Sequence, residues 1–151
     1  MHILIEKSKR RLTLFQEDGT SLVFPIVLGK CPDGHKLREG DSRTPEGDYY
    51  VCTKNEQSKY HLALGLSYPN PSDADAALEK GEITPAQHEA IRTAHAAGKR
   101  PPWDTALGGF IMIHGGGIPS DWTAGCVAME NADIETLFAL CRMGAKVRIV
   151  P

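Results

Sequence analysis

Residues Ile113–Met129 read IHGGGIPSDWTAGCVAM, and the rest of the chain is interpreted outward from this stretch. It holds one histidine, His114, one cysteine, Cys126, and glycines beside each. A thiol attacks a carbonyl well only as its thiolate, so a nucleophilic cysteine needs a base within reach. The oxyanion that then forms needs N–H donors with no side chain in the way. Gly125, just before Cys126, and the run Gly115–Gly117 suit both needs. A buried, inert cysteine beside a glycine-rich loop would show the same local pattern.

The flanks are strand and helix. FIMIH (110–114) enters the stretch as a strand, and a helix leaves it. Asn131 is a candidate cap for that helix, and Asp133 and Glu135 favour its positive end. Ile134, Leu137, Phe138 and Cys141 share one face, and Gly144 is the expected stop before a last strand, KVRIV. At the other end of the chain, HILIEK and RLTLFQ flank a charged turn, Lys7–Arg10. Asp18-Gly19 then turns the chain into a third strand, SLVFPIVLG (21–29). Thr44-Pro45-Glu46-Gly47 is a tight turn feeding the strand DYYVCTK. Between the β regions, Ser72–Lys80 reads as a short helix stopped by Gly81. Thr84-Pro85-Ala86-Gln87 opens a second helix with a capping box, which runs to Ala97 and stops at Gly98. Residues 72–102 thus form a helical insertion, a lid or wall, in a mainly β (α+β) single domain spanning 1–151.

Length and composition fit one soluble domain with its own core. A net charge of −2 gives no electrostatic footprint for nucleic acid or an anionic membrane. No apolar run has the length of a membrane span, and no export-type leader opens the sequence. Cys31, Cys52, Cys126 and Cys141 follow no metal-ligand spacing, so neither a zinc site nor a cofactor is expected. Three thiols other than Cys126 cannot all pair with one another, which favours a reducing compartment.

Three segments together, GDSRTPEGDYYV (40–51), LGLSYPN (64–70) and the His114–Cys126 stretch, resemble the L,D-transpeptidase (YkuD) family. Its signature is a histidine, a variable loop, then Ser/Thr-x-Gly-Cys, matched by Thr123-Ala124-Gly125-Cys126. The resemblance covers nearly the whole chain and implies a curved mixed sheet or β-sandwich with a helical insertion and one helix near the C-terminus. It departs from the common pattern at Ala124, where many members carry histidine, and at Ala128, where many carry arginine. The loop from His114 to Cys126 is also short for the family. These departures bear on acceptor choice and on how a substrate carboxylate is anchored.

The resemblance implies that Cys126 attacks the L–D bond before the terminal D-residue of a peptidoglycan stem tetrapeptide, leaving a thioester. His114 would take the thiol proton and return it to the leaving amine. Its other ring nitrogen needs an acceptor, either a carbonyl near Gly115–Gly117 or Asp121. Gly125 and the Cys126 N–H are the expected oxyanion donors, and the Thr123 hydroxyl is expected to order the loop. Arg43, Tyr68, Asn70 and Trp122 are candidate substrate contacts. Each has a structural alternative: an ion pair for Arg43, core positions for Tyr68 and Trp122, a turn for Asn70. His61 is expected to pack in the sheet, and His88 and His95 to be solvated on a helix.

Resolution of the thioester by another stem's amine makes a 3→3 crosslink; resolution by water makes an L,D-carboxypeptidase. The first fits an envelope enzyme with an export signal; the second fits a cytoplasmic recycling hydrolase. A non-catalytic wall-binding module is the alternative from a different class. A papain-like peptidase does not fit, since that would need a helix-borne cysteine and a distant histidine.

Overall fold

Apolar residues alternate along the first strands, and that alternation builds the inner face of the sheet. The computed structural model describes residues 1–151. The strands are β1 (His2–Glu6), β2 (Arg11–Phe15), β3 (Ser21–Pro25), β4 (Gly47–Ser58), β5 (His61–Leu66), β6 (Met112–His114), β7 (Val127–Ala128) and β8 (Lys146–Val150). The helices are α1 (Pro71–Glu79), α2 (Pro85–Ala96) and α3 (Asn131–Leu140). All eight strands join one curled mixed sheet in the order β3-β2-β1-β8-β4-β5-β6-β7. Ile3, Ile5, Leu12 and Leu14 point inward and are fully buried. β1 lies parallel to β8, so the two ends of the chain run side by side.

Two features bend the sheet toward the site. β4 pairs with β8 through Gly47–Tyr50 and with β5 from Val51 onward, and the β4–β5 register shifts twice. Such bulges bend a strand and increase its twist. The second feature corrects a sequence expectation. Residues 21–29 do not form one strand, because β3 ends at Pro25, which has no N–H to extend the ladder. Beyond it, Val27 bridges Ala128 and Gly29 bridges Thr123. The same run therefore pairs first with β2 and then with the loop that carries Cys126.

The insertion forms two capped helices. Asn70 caps α1 in a box with Asp73, and Thr84 caps α2 in a box with Gln87. α3 differs from expectation at both ends. Glu130 is its N-cap, without a side-chain bond, while Asn131 accepts the Gly116 N–H at 2.9 Å. It stops at Leu140, and Cys141 is already extended. Lys54 Nζ takes the carbonyls of Phe138 and Cys141, both at 2.7 Å, which satisfies acceptors that a further helical turn would otherwise use. The core is one cluster of 27 buried side chains running from β1 to α3, so the sheet and the helix behind β6 stabilise each other.

Candidate active site

His114 ends β6 with its side chain buried among neighbours that fix it. Its Nδ1–H donates to the Gly115 carbonyl at 2.6 Å. That bond selects the tautomer whose Nε2 carries a lone pair, the form a general base requires. The Tyr60 ring stacks on the imidazole at 4.5 Å and 21°, and Trp122 leans against it at 5.6 Å. Trp122 is itself held by a bond from Nε1 to the Gly117 carbonyl at 3.1 Å. It is half-buried, a wall of the site rather than a core residue. Asp121 does not orient the histidine. It pairs with Arg10 and accepts the Leu28 N–H, tying the loop to the β1–β2 turn. Burial pushes the Asp121 carboxyl up, but these bonds outweigh it and hold the pKa below the usual range.

Cys126 sits on the loop leading into β7, beside Met112. Its sulfur donates to the Phe110 carbonyl at 3.3 Å and accepts the Met112 N–H at 3.4 Å. In this resting state the thiol is not hydrogen-bonded to His114. Burial raises the Cys126 pKa, opposed by the Met112 N–H and by the charge of Lys36. Burial likewise lowers that of His114, opposed by the Gly115 carbonyl. Each shift favours the neutral form of its group.

The loop's shape depends on two threonines. Thr123 Oγ1 donates to the Cys126 carbonyl at 2.7 Å and accepts the Gly125 N–H at 3.1 Å. That engagement corrects the expected role of Gly125, whose N–H is already occupied. The Cys126 N–H has no acceptor in the protein and is the free donor beside the sulfur. Gly125 matters for its shape instead. At φ +138°, a Cβ there would lie 2.8 Å from the Arg43 carbonyl oxygen. Thr44, buried in the Thr44–Gly47 turn, donates to the Gly125 carbonyl at 2.8 Å and accepts the Gly29 N–H at 3.1 Å. Gly29 admits this contact because a Cβ would sit 2.2 Å from the Ser42 carbonyl oxygen.

The remaining sequence candidates separate. Tyr68 is wholly buried, with its hydroxyl bonded to the Leu107 carbonyl, so it cannot touch a substrate. Asn70 is spent on capping α1 and on the Asp48 carbonyl. The side chain of Arg43 lies along Gly34, and its carbonyl abuts Gly125 beside Cys126. Ala128, at the position where many family members carry arginine, is fully buried and pairs with His114. His61 does not pack in the sheet but stands exposed against Glu135. His95 is not solvated; its ring meets the Ser67 and Pro69 carbonyls and the edge of Tyr50. The turn Lys7–Arg10 also differs from expectation, since Lys7 is buried against Gly34, Thr44 and Glu46.

The sequence profile of the YkuD L,D-transpeptidase catalytic domain matches residues 1–149. The chain belongs to this family. It is 28% identical over 163 aligned residues to the Probable L,D-transpeptidase YcfS of Escherichia coli (strain K12), covering 98% of this chain and 43% of that protein. Among solved structures it resembles the helical cell shape determining protein Pgp2 of Campylobacter jejuni, at 25% identity and TM-score 0.64, over 97% of this chain and 46% of that one. Mycobacterium tuberculosis L,D-transpeptidase 1 shares the fold at 11% identity and TM-score 0.56, over 99% of this chain and 61% of that one. The chain thus spans less than half the length of the curated relative. No helix is long and apolar enough to cross a membrane, and no group of three or more His, Cys, Asp or Glu is placed to hold a metal ion.

Four further residues bear on His114, Cys126 or the loop between them and were not candidates from the sequence: Tyr60, Phe110, Lys36 and Thr44. Tyr60 sits in a hairpin turn, where periodicity gives no mark, and Phe110, expected to open the FIMIH strand, precedes β6, which begins only at Met112. Lys36 is buried on Asp41 and the Arg38 carbonyl although a lone loop lysine gives no such sign. Thr44 had a signal, since it opens the Thr-Pro-Glu-Gly turn, but its hydroxyl's two partners lie 15 and 81 residues away.

Proposed function

We propose that this YkuD domain carries out cysteine-dependent acyl transfer on peptidoglycan stem tetrapeptides, forming 3→3 crosslinks. The observation that carries the reading is the His114 Nδ1–H bond to Gly115, which leaves Nε2 as a base on the strand that flanks Cys126. When a donor binds, the thiol leaves the Phe110 carbonyl and gives its proton to Nε2. The sulfur attacks the carbonyl of the third, L-configured centre, and the oxyanion meets the Cys126 N–H. The C–N bond to the terminal D-residue then breaks, and His114 returns the proton to the departing amine. A stem amine attacks the thioester, loses its proton through His114, and the Cys126 thiol is restored. The half-buried Trp122 is the apolar contact beside this centre.

Mass spectrometry of a disaccharide-tetrapeptide incubated with the protein and with Cys126→Ala tests the reading. A dimer lacking one terminal residue supports transpeptidation. Conversion to the tripeptide with gain of water identifies an L,D-carboxypeptidase built on the same thioester. Binding without turnover supports a wall-binding module, and unchanged turnover in Cys126→Ala overturns the mechanism. A carbapenem adduct at Cys126 is expected under either enzyme reading.

A further inference from the structure

A groove of about 1060 Å³ opens between α2 and the segment Lys99–Phe110. On one side it is lined by small residues of α2, among them Ala90 and Ala94; on the other stand Arg100, Trp103 and Phe110. Phe110 connects the groove to the nucleophile, because its carbonyl holds the Cys126 thiol and the residue is 59% exposed. Trp103 packs against Phe110 at 4.6 Å and is 5% exposed, yet its Nε1 has no hydrogen-bond partner. A buried donor left unpaired costs stability and calls for an explanation. The Arg100 guanidinium lies over the Trp103 ring at 4.6 Å and makes no ion pair. Of the two carboxylates at the rim, Glu89 is engaged by Arg92, which leaves Asp104 against two cations, Lys99 and Arg100. The groove is therefore aromatic at its floor and carries a surplus positive charge.

We propose that this groove binds the part of the acyl donor that stays on the enzyme, with Arg100 anchoring one of its carboxylates. The proposal rests on the acyl-transfer reading of Cys126. Proton transfer sets the direction. The departing amine takes its proton from His114 and the incoming amine gives one to it, so both lie on the histidine side of the sulfur. Cys126 contacts Phe110 and Met112, whereas His114 lies further along β6. The retained acyl chain then runs the other way, past Phe110 and into the groove. A guanidinium stacked on an indole is oriented in advance and suits bidentate carboxylate binding. The orphan Trp103 N–H is enclosed in this structure and becomes a second donor only when the ring shifts as the acyl chain seats.

The test compares wild type, Arg100→Ala and Arg100→Lys with a disaccharide-tetrapeptide donor and with the same donor amidated at its retained-side carboxylates. Arg100→Ala is expected to raise KM about tenfold on the free-carboxylate donor with little change in kcat. On the amidated donor it should match wild type, and Arg100→Lys should fall between. Equal KM values on the free-carboxylate donor, or an equal loss on both donors, overturn the proposal. Calorimetric titration in the Cys126→Ala background separates this proposal from the reading beneath it. Binding that weakens without Arg100, combined with no turnover by wild type, keeps the anchor and discards acyl transfer. Binding indifferent to Arg100, or no detectable binding, overturns the anchor. Trp103→Phe, which keeps an aromatic platform but removes the N–H, should weaken binding by about fivefold.

Discussion

Where His114 is held by a short bond on one nitrogen and by two aromatic rings, Cys126 rests between a carbonyl and an N–H at 3.3 and 3.4 Å. On the proposed mechanism, the base is set in advance and the nucleophile is parked. Both contacts to sulfur come from the backbone of the Phe110–Met112 segment, and one of them, the Phe110 carbonyl, accepts the proton that the proposed mechanism passes to His114. Preorganisation is thus unequal across the reacting pair. The imidazole is ordered during folding, while the proposed mechanism requires the thiol to turn from Phe110 toward Nε2.

The largest break in this comparison is His114→Ala, which removes the preorganised partner and leaves the thiol without an acceptor other than Phe110. Acylation measured as kcat/KM, or as the rate of adduct formation by a carbapenem, should fall by about 10²–10⁴-fold. A fall of less than threefold would mean that another group serves as base. Next in size is Thr44→Val, which keeps the volume but removes the hydroxyl that serves Gly29 and Gly125 together. The Gly29 N–H is then buried without an acceptor, so stability should drop by about 1–3 kcal/mol in denaturant titration. Activity should fall as well, since the Gly125 turn shapes the Cys126 side of the pair. A stable but inactive variant would show that Thr44 matters only for loop geometry.

How far the sequence discloses this arrangement follows the range of the interactions. The strand over Arg11–Phe15, the capping box at Thr84 and the place of His114 at a strand end are local or motif-borne, and each is legible in the chain. The break at Pro25 and the early end of α3 are not, because each is decided by a distant partner: the Cys126 loop for Val27 and Gly29, Lys54 for the last carbonyls of α3. Tyr68 and Asn70 show the converse limit. Their segment is distinctive enough to suggest substrate contact, but only the packing around Leu107 and the α1 cap reveals that both are structural.

A smaller change sharpens the base side. Tyr60→Leu removes the ring stacked on the imidazole, and an aromatic contact of this kind contributes about 0.5–1.5 kcal/mol. Stability should fall within that range and kcat by a few-fold, with KM nearly unchanged, because Tyr60 positions His114 rather than contacting the acyl chain. A change confined to KM would instead put Tyr60 in the substrate path.

The smallest effect is the most diagnostic of how the two groups share their proton. Burial holds the His114 pKa below its ordinary 6.5 and the Cys126 pKa above its ordinary 9.0. The folded protein therefore binds fewer protons at His114 than the unfolded chain does just below pH 6.5. The stability contributed by neutral His114 is complete above pH 6.5 and is lost as the pH falls toward the folded value. The acid limb of kcat/KM should accordingly have its midpoint below 6.5, and the His114 ring signals in Cys126→Ala should titrate there too. Tyr60→Leu lets water reach the ring and should move that midpoint back toward 6.5. A wild-type midpoint above 6.5 that falls when Cys126 is replaced by alanine would identify a thiolate–imidazolium pair at rest. In that case the parked thiol, and with it the contrast between the two sides, would give way to a nucleophile already activated before substrate binds.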